Sequence, residues 1–200
     1  MTVLQAMTHA RSFIKVGSTY LETEEVRLSN TVNQIIGTFY RWHWLAQEAS
    51  NISISNGVQD YSLAAGDQNT TLAIQNGYLT DASTTYPPML VEGNAVLPVI
   101  ASTGRPYSLG LLSPTEVRFF PTPNASYTLH WRKYKRPTVF TENTDSFDCP
   151  AAFDALVKAG MVAAVMDYKD DTRAADQWKQ FWGLLQEHKN MERVTMGRTR

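Results

Sequence analysis

The spacing of hydrophobic positions changes twice along the chain, dividing it into three blocks. In the first, Val3, Leu4 and Met7, continued by Ala10 and Arg11, predict a short helix. After Gly17-Ser18 a stronger helix is predicted over about residues 21–42. Leu28, Val32, Ile35, Ile36 and Phe39 recur there at helical spacing, and Glu22, Glu24 and Glu25 lie in a first turn where the helix dipole favours anions. Phe39, Tyr40, Trp42 and Trp44 then cluster beside Arg41 and His43. A platform for stacking nucleobases would be ringed by Lys and Arg. This cluster is not, and it reads as core closure where helix meets sheet.

From Ile52 the period is two. Ile52 and Ile54 alternate with serines, and Asn56-Gly57 is the strongest hairpin signal in the chain, with Val58, Tyr61 and Leu63 beyond it. Further strands are predicted at 71–74, 89–91, 96–100, 107–112, 116–120 and 126–134. Turn residues separate them at Asn76-Gly77, Glu92-Gly93-Asn94, Gly104-Arg105-Pro106, Ser113-Pro114 and 121–124. Short strands at this spacing predict a small antiparallel sandwich or barrel.

The third block returns to helix. Pro150 suits a first helical position, with Asp148 or Cys149 as cap. Phe153, Leu156, Val157, Gly160, Met161, Ala164, Val165 and Tyr168 follow at i, i+3, i+4 spacing. After Lys169-Asp170-Asp171, a last helix aligns Ala174, Trp178, Phe181, Trp182 and Leu185 on one face. The expectation is one α+β domain: N-terminal helices in 1–48, a β-core in 50–137, an αα-hairpin in 148–190 and an extended basic tail in 191–200.

Composition sharpens this picture. The 200 residues carry a net charge of −1, which argues against a surface built to neutralise phosphates. Charged residues make up 18%, against roughly 25% in an average soluble domain. Between Ser50 and Thr115 the charged residues are Asp60, Asp67, Asp81, Glu92 and Arg105. Such a neutral stretch suits surfaces that meet other subunits, although a polar loop region on a monomer has the same composition. Cys149 is the sole cysteine, so no intrachain disulfide forms, and with no basic neighbour in sequence it reads as an inert thiol. The N-terminus shows no signal-peptide pattern, and no run reaches the ~18 apolar residues of a membrane span. The expectation is a soluble protein made in a cytosol. The sequons at Asn51, Asn69 and Asn124 are then chance in a Thr/Ser-rich chain.

Catalytic chemistry is not concentrated anywhere in the sequence. His9, His43, His130 and His188 are scattered without metal-ligand spacing, and the chain lacks a nucleophile elbow and phosphate-binding glycine loops. The aspartates 167, 170 and 171 read as caps of a helix break. The expectation is a non-enzyme without cofactor or metal. Two charge features remain. Arg132, Lys133, Lys135 and Arg136 crowd a strand end a few residues before the acidic Glu142, Asp145 and Asp148. Complementary charge of this kind fixes register within a subunit or across a boundary. The tail carries Arg193, Arg198 and Arg200, a peptide that orders on docking into a partner.

The order of three motifs resembles the head–tail adaptor (connector) proteins of tailed bacteriophages, in particular the podovirus type. First comes a helix ending in Trp42-His43-Trp44, followed by a Thr/Ser-rich strand and Tyr61-Ser62-Leu63. Second is Gly104 to Leu109, leading to Phe119-Phe120-Pro121-Thr122-Pro123 and the strand 127–134. Third is a helix opened by Pro150, Phe153, Ala155, Leu156 and Val157, with an aromatic-rich helix behind it. The resemblance spans most of the chain, though 1–18 and 67–88 lack a distinctive match. It implies a non-enzymatic virion protein that forms a dodecameric ring beneath the portal, with DNA only as passing channel contents. Its expected partners are the portal, tail nozzle or fibre proteins and further copies of itself, at the head–tail junction and away from any membrane. Met191, Arg193, Arg198 and Arg200 would dock on the portal. Arg132, Lys133, Lys135, Arg136, Glu142 and Asp145 would meet neighbouring subunits or partners. The alternative is a glycan-binding β-sandwich of a phage tail or receptor-binding protein, and a third class is a hydrolase working through His43 or His130.

Overall fold

The computed structural model describes residues 1–92 and 102–197, with side chains through Val194. It is α+β, and the chain divides into two compact units: Met1–Trp44 with Pro137–Arg200, and Leu45–Arg136.

In the helical unit, α1 (Val3–Ile14) opens on a capping box. Thr2 Oγ1 accepts from the Gln5 N–H at 3.2 Å, and Gln5 Oε1 accepts from the Thr2 N–H at 2.9 Å. Val3, Ala6, Met7, Ala10 and Arg11 form its buried face. Arg11 would be costly there alone. It pairs with Glu25 at 2.5 Å and donates to the Tyr20 carbonyl at 2.8 Å, fixing the reversal into α2 (Glu25–Phe39).

α2 buries Leu28, Val32 and Ile36 as predicted, but it is shorter than the 21–42 expected. Residues Glu22–Glu24 form a 3-10 turn entered from a left-handed Leu21, and Tyr40 is extended. That break lets the Trp42 ring fold back into the unit, where its Nε1 donates to the Ile36 carbonyl at 2.6 Å.

The hairpin consists of α3 (Asp154–Tyr168) and α4 (Ala174–Gly197). α3 is buried nearly all round, from Leu156 to Met166, because α1, α2 and α4 pack against it. Gly160 makes this close approach achievable: a Cβ there would lie 2.8 Å from both Val32 and Phe181. α4 continues as helix through Gly197, so 191–197 is not the extended segment the sequence predicted. The predicted cap also differs. Pro150 caps a 3-10 turn, Ala151–Phe153, without a side-chain bond, while the Asp148 carboxylate clamps Thr138 and Asn33.

The β-unit carries β1 (Ala46–Glu48), β2 (Ile52–Ile54), β3 (Asp60–Ser62), β4 (Thr71–Thr80), β5 (Leu90–Glu92), β6 (Thr103–Gly104), β7 (Ser108–Ser113), β8 (Glu116–Phe120), β9 (Thr122–Pro123) and β10 (Tyr127–Lys135). β10 is the spine of one sheet, with β4 along one side and β1 and β2 along the other. A second sheet runs β3-β8-β7-β5, and β6 pairs β9. Ile54, Leu79 and Leu129 of the first sheet share one core with Leu109, Val117 and Phe119 of the second. No barrel closes among the described residues. The β5–β7 and β6–β9 pairs are parallel, which the antiparallel expectation did not include.

Two predicted turns take other roles. Asn56-Gly57 is a turn with Gly57 at φ +79°, but β2 pairs β10 and β3 pairs β8, so it is a crossover between sheets and not a hairpin. The Gly57 N–H is captured by the Pro123 carbonyl at 2.8 Å, which directs the crossing. Asn76-Gly77 lies inside β4. Leu129, Leu109 and Trp131 would sit 3.2–3.3 Å from a Cβ at Gly77, so the glycine admits packing and does not end the strand. The expected strand 96–100, and Gly93-Asn94 of its flanking turn, lie outside the described residues.

Candidate interaction surfaces

The basic strand end is split by the pleat of β10. Successive side chains point to opposite faces, so Arg132 is exposed while Lys133 points into the unit and is 1% exposed. Lys133 Nζ lies 2.8 Å from Asp67 and donates to Thr70 Oγ1 at 2.6 Å. Asp67 also accepts from the Ser50 N–H at 2.9 Å. Burial pushes the Asp67 carboxyl up, but the bonds from Lys133 and Ser50 outweigh it and hold the group below its usual range. Lys133 is therefore engaged inside the sheet. Lys135 is half-buried, and the exposed Arg136 donates through Nε to the Thr71 carbonyl at 3.2 Å.

Beside Arg132 the sheet is interrupted. β1 pairs with 132–134 and β2 with 127–129, and across the break the Ala49 N–H still donates to the Trp131 carbonyl at 3.2 Å while Trp131 Nε1 donates to the Ser50 carbonyl at 2.8 Å. A depression of about 270 Å³ lies here, bordered by Glu48, Asn51, Asn76, Tyr78, His130 and Arg132. Tyr78 and His130 stack with ring centroids 5.0 Å apart, and His130 Nε2 is 3.1 Å from Thr80 Oγ1. Polar groups around a ring pair suit a small polar ligand or a partner's side chain.

The acidic loop has a structural occupation. The Asp145 carboxylate accepts from the N–H groups of Thr141 at 2.7 Å and Glu142 at 3.0 Å, and these bonds lower its pKa. Glu142 accepts from the Thr144 hydroxyl at 3.3 Å. The backbone carbonyls of Asn143 and Asp145 receive the Leu4 and Val3 N–H groups, each at 2.9 Å, completing the N-terminal cap of α1. Cys149 beside this loop is half-buried, and burial pushes its thiol up to about 11, which keeps it protonated and unreactive at neutral pH.

Of the predicted docking residues, Met191 and Arg193 are exposed on α4, while Arg198 and Arg200 lie outside the described residues. Glu192 carries no signal in the sequence. Its carboxylate is 8% exposed, accepts from the His43 N–H at 2.8 Å and lies 2.5 Å from His43 Nδ1. No local spacing announces a pair separated by 149 positions. Burial, and then Lys158, lowers the pKa of His9; burial lowers that of His188, whose ring stacks on Phe153 at 4.2 Å. Among the described residues no three His, Cys, Asp or Glu side chains are grouped to hold a metal.

The family model described as SU10 adaptor protein matches residues 1–200. No curated protein matches the chain.

Proposed function

The chain belongs to the SU10 adaptor protein family, a family of structural bacteriophage adaptors, and on that premise we propose that it joins the portal to the tail as a homo-oligomeric ring continuing the DNA channel. The observation that carries this reading is the family match over the whole length. A net charge of −1 supports it, because a channel that lets DNA slide cannot hold phosphates strongly. The adaptor works by binding and not by catalysis. Met191 and Arg193 at the end of α4, together with Arg198 and Arg200 that follow in sequence, form the portal contact. Arg132, Lys135, Arg136, Glu142 and Asp145 contribute to contacts with neighbouring subunits or tail proteins. Lys133 takes no part, because Asp67 occupies it.

Negative-stain microscopy of the purified chain, alone and mixed with the portal of the same genome, tests the proposal. Rings, or density added at one end of the portal, are expected. Monodisperse particles that ignore the portal would overturn it. Removing 191–200 should leave a folded chain that no longer joins the portal. Retained binding would remove the docking assignment and leave the ring.

The depression beside Tyr78 and His130 favours a second reading, recognition of a sugar by a β-sandwich. Glycan-array binding abolished by Tyr78→Ala would establish it, and an empty array would dismiss it.

A further inference from the structure

α4 is much longer than the helix it packs against, at 24 residues against 15 for α3. Two contacts set their register. Phe181 fills the notch at Gly160, and His188 stacks on Phe153, immediately before α3 begins. Beyond His188, α4 therefore overhangs its partner helix by about 13 Å, at 1.5 Å per residue. A helical end without a packing partner frays, because helix this short is marginal in water.

The overhang is nevertheless seated. Lys189 places its ammonium 5.3 Å from the Phe39 ring centroid and 5.8 Å from that of Tyr40. One turn on, Glu192 Oε1 takes both the backbone N–H and Nδ1 of His43. The receiving side is anchored by the packing of its neighbour. His43 follows Trp42, whose fully buried ring bonds to Ile36, stacks on Trp44 at 4.6 Å and meets Phe153 at 5.3 Å. With Glu192 turned inward, Met191 and Val194 face outward at 49% and 57% exposure, and Arg193 is exposed beside them.

We propose that Glu192 and His43 form a catch that fixes the direction of the α4 overhang, presenting Met191, Arg193 and Val194 as a preordered helical turn. Glu192 is a positioning residue, acting through the neighbours whose orientation it sets. This rests on the reading that the end of α4 docks on the portal. It replaces a segment that orders on docking with one that is ordered beforehand, so binding is not weakened by the fraction of time the end is disordered.

Hydrogen exchange on the full chain tests the catch. Glu192→Ala removes the acceptor, and amides 189–194 should lose protection by about tenfold or more while α3 is unchanged. Glu192→Gln keeps an acceptor oxygen for the His43 N–H and should restore protection to within roughly threefold of the native chain. Portal affinity should fall about fivefold or more in Glu192→Ala and recover in Glu192→Gln. Native-like protection in Glu192→Ala would overturn the proposal. So would failure of Glu192→Gln to rescue, because the loss would then not come from the accepted hydrogen bonds. Portal binding that survives removal of 191–200 would instead end the docking reading, leaving the exchange result to judge the catch alone.

Discussion

Lys133 and Asp67 show how little a charge run reveals about individual residues. Four cations in five positions read as a basic patch, yet the second is buried against a carboxylate from the loop before β4. A buried pair is weak evidence of net stabilisation, but removing one partner strands the other charge. Lys133→Met should therefore destabilise the chain by about 3–5 kcal/mol in urea unfolding, whereas Arg132→Met should change stability by about 0.5 kcal/mol or less. The pair also gives acid sensitivity a definite sign. Asp67 titrates below its unfolded value of 3.8. Its contribution is therefore complete above that pH and is lost as pH falls through the lower folded value. The Asp67→Asn variant, already without this contribution, should show a shallower loss of stability below pH 3.8 than the native chain.

At the scale of elements, the helical pattern of α4 was legible, but its depth was not. Ala174, Trp178, Phe181, Trp182 and Leu185 read as one face. In the structure Phe181 is fully buried in the notch of Gly160, Trp178 is half-buried, and Trp182 remains 44% exposed with its ring centroid 6.0 Å from that of Phe39. Phe181→Ala should cost about 3–5 kcal/mol, and Trp182→Ala about 1 kcal/mol or less, both read from denaturant midpoints. The turn signals divide similarly. Gly57 adopts the left-handed conformation its Asn-Gly context suggested, while Gly77 is a glycine because Leu109, Leu129 and Trp131 crowd it. One residue type answers two demands, and local sequence does not distinguish them.

At the scale of the molecule, the division at Trp44 and Arg136 makes a prediction of its own. Leu45–Arg136 is contiguous and holds a core running from Ile52 to Trp131, with both main sheets contributing. Expressed alone, this segment should show a cooperative urea transition and dispersed amide resonances. A collapsed, non-cooperative segment would mean that its core does not suffice. The helical unit lacks this continuity, since α1 and α2 come from one end of the chain and α3 and α4 from the other.

The sequence by itself determined the three blocks, most helix positions, the strands β7, β8 and β10 to within a residue or two, and the absence of a dense charge field. These depend on periodicity and composition, which are local quantities. The tertiary structure alone decided which strands pair, that Asn56-Gly57 crosses between sheets, that Lys133 turns inward and that α4 continues as helix past Met191. Each of these depends on a partner far along the chain: β8 for β3, Pro123 for Gly57, Asp67 for Lys133, His43 for Glu192. Side-chain period records which face a residue occupies, but the group waiting on that face is set only when distant segments meet.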